Sequence, residues 1–241
     1  MKEVFNKRYL ALSILGHLIF ISQLIVFGPW YLLTIILGIV AFNLGYSLYM
    51  HRTLAHKHYD FTVIQHTLFS LIACSLNFGS PAVLASVHYN HHKYSGTKND
   101  PHDPNRLGIF RTLFKLWDKK YIPNKRPFKE FLADPLHHWF HLHHYTIASV
   151  ATILFPFINV TAFWLSTLVI LPVHSRRIGY QNFNIDDSTN VPLLKPLLWG
   201  EELHNNHHKH PGMLNHNVAH SVAEFDPLYH IGSTISCESF R

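Results

Sequence analysis

The sequence has little charge. Only 14% of its 241 residues are charged, against about 25% in ordinary soluble domains. The deficit is concentrated, because no Asp, Glu, Lys or Arg occurs in residues 9–51 or in residues 135–175. Each of these stretches exceeds the ~20 apolar residues that a helix needs to cross a bilayer. The pattern predicts an integral membrane protein, organised as a single domain over residues 1–241.

Cysteine is also scarce. Cys74 and Cys237 form no C-x-x-C pair, so neither a disulfide framework nor a thiolate metal site is expected. The first apolar run lacks a small-residue cleavage site, and we interpret it as a membrane helix rather than a signal peptide. The net charge of +6 comes from loops that flank apolar segments, as the positive-inside rule requires. A nucleic-acid partner is therefore not expected.

The apolar segments predict an all-α fold with four transmembrane helices in two hairpins, spanning residues 9–27, 31–50, 143–158 and 160–174. The apolar segment 61–87 is too short for two crossings and is interrupted at Gly79-Ser80-Pro81, which favours an interfacial or re-entrant helix. Every Lys and Arg lies in the N-terminal arm, in residues 52–129 or in residues 176–241. Two hairpins place these three regions on one face. The positive-inside rule assigns that face, with both termini, to the cytosol.

Histidine is the residue in excess, with 22 copies. Three clusters stand out: one H-x-x-x-x-H and two H-x-x-H-H, each at or after the predicted end of an apolar segment. Eight imidazoles are too many for one tetrahedral or octahedral ion, so two ions that share them are the economical interpretation. Imidazole suits Zn, Cu, Fe or Ni, and the spacing does not select among them. The candidate ligands are His51, His56, His88, His91, His92, His204, His207 and His208.

The spacing within each cluster makes a geometric prediction. Positions i, i+3 and i+4 share a helix face, so each H-x-x-H-H presents three imidazoles that can begin a metal shell. His51 and His56 are five residues apart and diverge by about 140° on an α-helix. They therefore suit either a frayed helix end or two different metals. A single site also requires an even number of crossings between clusters.

Acidic residues beside the clusters could hold the ligand rings. Glu201 and Glu202 precede the third cluster, and Asp100 and Asp103 follow the second. Carboxylates commonly accept the free N–H of a metal-bound imidazole, although a solvated loop is an equally good interpretation of these acids. A further run holds His137, His138, His141, His143 and His144. It does not repeat the cluster spacing, so we interpret it mainly as interfacial or helix-end histidines.

With these residues in view, the chain resembles the membrane fatty acid desaturases, particularly the acyl-CoA Δ9 (stearoyl-CoA type) branch. The three histidine clusters match in order and in predicted topology. The similarity extends to residues around them and covers nearly all of residues 28–231. The additional matching segments are Asp100-Pro101-His102, Gly179-Tyr180-Gln181-Asn182-Phe183, Gly200-Glu201-Glu202-Leu203 and Glu224-Phe225-Asp226.

The resemblance implies four spans and a cytosolic cap that holds two iron ions. It implies that O2 and two external electrons are used to introduce a cis double bond, at Δ9, into a saturated C16–C18 acyl chain carried by CoA or by another acyl carrier. The bilayer is the expected environment. No fused cytochrome b5 domain is visible, so the expected electron donor is separate: cytochrome b5, a ferredoxin or a reductase.

One ligand departs from the family pattern. The family's additional ligand histidine lies three residues before the Gly-Tyr pair, where this chain has Arg176. His174, two residues earlier, is the candidate replacement. The asparagine that the family often has four residues before its histidine is also absent, since Pro172 or Ile170 occupies that place.

Two other functions remain open at the level of sequence. A related di-iron hydroxylase acting on a lipid or alkyl chain would use the same ligands. A non-enzymatic metal-binding or transport protein would also use histidines. Transport sites usually lie near the bilayer midplane, whereas these clusters flank the predicted spans.

Overall fold

Two long apolar helices open the chain. The computed structural model describes residues 7–108, 112, 124–174, 178–186, 188–218 and 224–237. Helix α1, Lys7–Phe27, ends at Gly28, whose φ of 75° suits glycine. Helix α2 then runs through Pro29–Ala55 without interruption. It begins as a 3-10 turn, continues as an α-helix over Thr34–Phe42 and ends as a π-helix over Asn43–Ala55.

The predicted interruption of the apolar segment 61–87 separates two helices. Helix α3, Val63–Ser75, begins with a capping box in which Thr62 and Gln65 exchange hydrogen bonds. Helix α4, Pro81–Tyr94, begins where Ser80 is followed by proline at the first helical position. At 13 residues, α3 reaches only about 20 Å, less than the ~30 Å hydrocarbon core. That this segment does not cross the membrane remains a prediction.

The second apolar region forms a bent pair. Helix α7 covers Pro135–Leu154 and helix α8 covers Pro156–Leu168, with a π-helical continuation over Val169–Val173. The break lies at Phe155, earlier than the boundary expected between spans 143–158 and 160–174. Pro156 fixes it, because proline has no N–H to continue α7 and suits the first position of a new helix. Helix α7 begins eight residues before the predicted span because Asp134 caps its first turn.

Short helices complete the part of the chain that the structure describes. They are α5 (Pro104–Leu107), α6 (Arg126–Ala133), α9 (Lys195–Leu198), α10 (His204–Lys209) and α11 (Pro227–Ile235). Within the described ranges, extended pairing is limited to isolated bridges that join Asn190 to Tyr180 and to Leu203. The fold is therefore all-helical over these residues, as predicted.

The described helices offer fewer candidate spans than the four expected. Helices α1 and α2 are each long and apolar enough to cross a membrane, and α7 with α8 passes the same test only as a pair bent by 109°. The described helices thus offer two spans, or three if the bent pair is one span. The prediction of four spans is not confirmed, and the cytosolic position of the cap remains a prediction.

The apolar helices pack closely on one side and expose apolar side chains on the other. Helix α2 packs against α8, where a Cβ on Gly38 would lie 2.3 Å from the Thr161 hydroxyl. Large side chains such as Leu18, Ile25 and Ile36 are exposed. Exposed apolar surface on this scale is typical of contact with lipid. The last turns of α2 and α4 pack together and bring their histidines to one end of the bundle.

Candidate metal centre

Five histidine nitrogens converge at the ends of the helices. The five-histidine group draws on all three clusters, and its potential ligand atoms all lie within 4.8 Å of one another. Nε2–Nε2 distances of 2.9–3.0 Å connect the rings in sequence. Two ligands about 2.1 Å from a common ion and at right angles are separated by about 3.0 Å. The spacing therefore fits one ion. The five are His56, His88, His92, His207 and His51.

Four further histidines form a second group beside the first. The four-histidine group holds His91, His174, His204 and His208, again with ligand atoms within 4.8 Å of one another. Both nitrogens of His204 are buried without a hydrogen-bond partner, as is Nε2 of His174. A buried polar atom without a partner costs about 1–3 kcal/mol. Several such atoms aimed at one point favour a cation between them.

The proton positions in the four-histidine group test more strictly whether its nitrogens are arranged to bind a metal ion. A neutral imidazole carries one N–H. His91 directs Nδ1 to Asp100 at 2.8 Å, and His208 directs Nδ1 to Asp186 at 2.5 Å. Each N–H is thus donated to a carboxylate, which leaves an acceptor lone pair on each Nε2. These two Nε2 atoms are 3.2 Å apart, and two facing lone pairs are favourable only when they share a cation.

The structure divides each H-x-x-H-H cluster between the two groups. His88 and His92 lie in the five-histidine group, whereas His91 lies in the four-histidine group. The third cluster divides in the same way, with His207 on one side and His204 and His208 on the other. The expectation that three rings of one cluster begin one shell was therefore wrong. Successive positions on a helix differ by about 100°, so a helix that lies between two groups can serve both.

His51 and His56 come together because α2 ends as a π-helix. The His56 amide donates to the His51 carbonyl at 3.2 Å, which is the i to i+5 bond that defines this helix type. One wider turn brings two residues that would diverge on an α-helix to the same face. The sequence suggests either a frayed helix end or two different metals for His51 and His56. The structure shows a π-helix instead, and both rings lie in the five-histidine group.

Of the four acids considered from sequence, two contact ligand rings. Glu201 accepts from His51 Nδ1 at 2.6 Å, and Asp100 accepts from His91. Glu202 instead accepts from the Gly200 amide, and Asp103 caps α5. Both support the backbone, because loops and helix starts also need acceptors for free N–H groups.

Asp186 is a ring partner that the sequence reasoning missed. It lies 22 residues before His208, in a loop with no helical or strand periodicity, so only the folded loop places it there. Burial by itself would raise the pKa of the Asp186 carboxyl, but hydrogen bonds from His208 and Ser188 lower it below its usual range. The group is therefore an anion that accepts hydrogen bonds.

Arg52 connects the five-histidine group to the C-terminal segment. Its side chain is fully buried, donates to Asp226 at 2.9 Å and to His216 Nδ1 at 3.0 Å, and lies 3.7 Å from Glu201. Burial would raise the pKa of Asp226, whereas the Arg52 guanidinium lowers it. For Glu201, burial raises the pKa to about 8 although Arg52 acts in the opposite direction. A buried arginine is sustained only by such pairing.

The residues between the histidines of the third cluster hold the surrounding loops. Asn205 donates to the Phe183 carbonyl at 2.8 Å. Asn206 donates to Glu224 at 2.8 Å and accepts from Asn190 at 2.8 Å. Buried amides pair in this way because an unpaired amide is costly. The two asparagines thus fix α10, and its three histidines, relative to two other segments.

The histidines of α7 lie outside both groups. His141 contacts the Ser80 hydroxyl at 2.9 Å, His143 contacts the Trp139 carbonyl at 2.8 Å, and His144 contacts the His141 carbonyl at 2.6 Å. His137 contacts Asp134 and lies 3.5 Å from the Tyr49 hydroxyl. These rings direct polar atoms to neighbouring groups of the protein, and their interfacial position remains a prediction. Arg176 lies outside the described residues.

Comparison with known proteins identifies relatives. No family model matches the chain. It is 32% identical over 192 residues to the acyl-CoA C20 Delta5-desaturase of Anemone leveillei, which covers 72% of this chain and 61% of the relative. It is 30% identical to the chloroplastic palmitoyl-monogalactosyldiacylglycerol delta-7 desaturase of Arabidopsis thaliana over 71% of this chain and 51% of the relative.

A further relative differs again in the position and carrier that its name states. The Delta-9 acyl-lipid desaturase 1 of Arabidopsis thaliana is 25% identical over 69% of this chain and 60% of the relative. The chain thus spans about three fifths of the length of several of these relatives. Their names share desaturation of an acyl chain, whereas they differ in carrier and in double-bond position.

Proposed function

We propose that this chain, which belongs to the membrane fatty acid desaturase family, is an O2-dependent enzyme that introduces a cis double bond into an acyl chain. The observation that carries the proposal is the pair of facing Nε2 atoms on His91 and His208, whose N–H groups are both donated to carboxylates. This arrangement favours a bound metal ion between the two rings. The five-histidine and four-histidine groups would each hold one.

We infer that the two ions are iron. Removing hydrogen from an unactivated methylene needs a redox-active metal, which excludes zinc as the working ion. When bound, two iron ions would supply the oxidising power of O2, with electrons from a separate donor such as cytochrome b5, a ferredoxin or a reductase. The protein's own contribution is to hold nine imidazoles in place, with N–H groups directed to Glu201, Asp100 and Asp186.

A cavity lined by residues of α2, α4 and α6 is our candidate for the substrate site. Its volume is about 680 Å³, within the range of small-molecule sites. Ala55 and Tyr89 line it, and these residues are the sequence neighbours of His56 and His88. Apolar atoms of Leu54 and Phe131 at the same cavity suit methylene groups, because burial of apolar surface is favourable.

Cationic residues at the same cavity support a phosphorylated carrier. Lys57, Lys93 and Arg126 line it, together with Glu130 and Asp134. Arg126 pairs with Glu130 at 2.8 Å. Ammonium groups recognise phosphate as point charges, so we propose acyl-CoA as the carrier. By family resemblance, we propose that the product is a Δ9 double bond in a C16–C18 chain. We also propose that the cavity and both termini lie on the cytosolic side, as the positive-inside rule indicates.

Product analysis tests this function. We expect expression in a host that lacks unsaturated fatty acids to produce a single monounsaturated species, measured by mass spectrometry of total lipids. The His51→Ala variant serves as the control and should produce none. A mainly hydroxylated product would assign the chain to the related hydroxylases. If iron-loaded, reducible protein oxidised neither CoA, carrier-protein nor glycerolipid substrates, the chain would instead be a metal-binding or transport protein.

A further inference from the structure

Asp186 is held by four hydrogen-bond donors. Its Oδ2 accepts from His208 Nδ1 at 2.5 Å and from the Ser95 hydroxyl at 2.7 Å. Its Oδ1 accepts from the Ser188 amide at 2.9 Å and also from the Ser188 hydroxyl. An ionised carboxylate offers about four lone-pair positions. All four are therefore used, and the carboxylate has one preferred position.

This carboxylate links two separate histidine clusters. Ser95 directly follows α4, which carries His88, His91 and His92, whereas His208 belongs to α10. The contacts of Asp186 thus tie the end of one ligand helix to a ring on the other. Because His208 donates Nδ1–H to Asp186, its lone pair lies on Nε2, which faces Nε2 of His91. Asp186 therefore determines both the tautomer and the orientation of this ring.

The two groups differ in the carboxylates that accept hydrogen bonds from their histidine rings. The five-histidine group has Glu201 behind His51, and Glu201 lies 3.7 Å from the Arg52 guanidinium. The four-histidine group has Asp100 and Asp186. In the part of the chain that the structure describes, the ion-pair partners of these two carboxylates are His91 and His208. A carboxylate behind a histidine makes the ring a stronger ligand.

We propose that Asp186 is a positioning residue for the ion in the four-histidine group, acting through His208 and leaving the five-histidine group independent of it. This inference rests on the proposed function, because it assumes two bound ions. Loss of a carboxylate behind a metal-bound histidine typically weakens metal affinity about 10- to 100-fold. The same loss is expected here for one ion of the two.

Cobalt titration of the purified full-length protein in detergent tests the role of Asp186. Co²⁺ is added anaerobically to metal-free protein, and binding is followed by equilibrium dialysis and by the visible absorption of the bound ion. The wild-type chain should bind two ions. In Asp186→Asn, we expect the Kd of one ion to rise about 10- to 100-fold, with a change in one component of the spectrum, while the other ion binds as before.

Asp103→Asn is the matched control. Asp103 lines the same small cavity of about 40 Å³ as Asp186 and His208, but it caps α5 and supports no ring. This variant should bind both ions with wild-type affinity and spectrum. Equal weakening in Asp103→Asn and Asp186→Asn would overturn the proposal, because it would show a general effect of charge.

Two further outcomes are informative. If Asp186→Asn does not give a monodisperse protein, Asp186→Glu replaces it, since that variant keeps the charge and moves the oxygens by one methylene. Wild-type cobalt affinity and spectrum in either folded variant would contradict the role of Asp186. Fewer than two ions in the wild-type chain would instead contradict the proposed two-metal function itself.

Discussion

Two buried histidines illustrate how the partners of a ring report its role. His204 is 2% exposed, and neither of its nitrogens has a partner. His144 is similarly buried but contacts the His141 carbonyl at 2.6 Å and the Tyr9 hydroxyl at 3.4 Å. An unpaired buried ring costs stability in the metal-free protein, whereas a paired ring contributes to it.

This contrast gives a prediction at the residue scale. His204→Ala should lower metal content from two ions to about one. It should leave the unfolding free energy of the metal-free protein within about 1 kcal/mol of wild type, since the loss of packing is offset by removal of unpaired polar atoms. Elemental analysis and thermal unfolding of the apo-protein measure the two quantities.

His144→Ala serves as the matched control. It should retain both ions and lose about 1–3 kcal/mol, because it removes a hydrogen-bonded side chain from a packed helix. If His204→Ala destabilised the apo-protein and kept two ions, His204 would be a structural residue rather than a ligand.

At the residue scale, a repeated histidine spacing is visible in the sequence, whereas contacts made by a folded loop are not. The eight cluster histidines and His174 all lie in the two groups. Glu201 and Glu202 are adjacent and chemically alike, so only the fold distinguishes their contacts. Glu201 accepts a hydrogen bond from His51, and Glu202 accepts one from the Gly200 amide. Asp186 is similarly invisible in the sequence, because its partner is 22 residues away.

At the scale of helices, the apolar runs and the proline positions were informative. Pro29, Pro81, Pro135 and Pro156 each begin a helix. Two features were not predicted: the bend of 109° between α7 and α8, and the π-helical end of α2. Pro156 marks where the bend occurs, but its angle and the π-helical end of α2 depend on tertiary context, for which propensity is a weak guide.

The contact between α2 and α8 gives a prediction at this scale. Gly38 has no side chain, and an added Cβ would lie 2.3 Å from the Thr161 hydroxyl and 3.0 Å from the Phe157 carbonyl. We expect Gly38→Ala to lower the unfolding free energy by about 1–3 kcal/mol through overpacking. Thermal unfolding in detergent measures this change.

Gly212 provides the control for this substitution. A Cβ at Gly212 would meet nothing within 4 Å, so Gly212→Ala should change the unfolding free energy by less than about 0.5 kcal/mol. In the double variant Gly38→Ala with Thr161→Gly, stability should be partly restored. Wild-type stability of Gly38→Ala would mean that the two helices do not pack as closely as described.

The arrangement of the whole molecule in the membrane predicts the sidedness of its loops. The three clusters contribute to two adjacent groups, so the ends of α2, α4 and α10 must lie on one side. Reporters placed after Lys57, Lys98 and Lys209 should all read the cytosolic side, as the positive-inside rule indicates.

A reporter inserted after Gly28, between α1 and α2, should read the opposite side. It serves as the control that the assay can detect both sides of the membrane. An outside position for Lys98 alone would require a crossing within residues 61–87. That result would be incompatible with the contact between the ends of α2 and α4.

The length of helix α2 sets the distance between the start of its apolar run and the His51 ring. The helix continues without interruption from Pro29, at the start of the apolar run, to the ring of His51. At 1.5 Å per residue this stretch measures roughly 33 Å, close to the ~30 Å hydrocarbon core. The distance between the histidines and the opposite membrane surface is therefore expected to depend on the number of residues in this one continuous helix. With the apolar part of that helix in lipid, we expect His51 to lie close to the boundary between hydrocarbon and water.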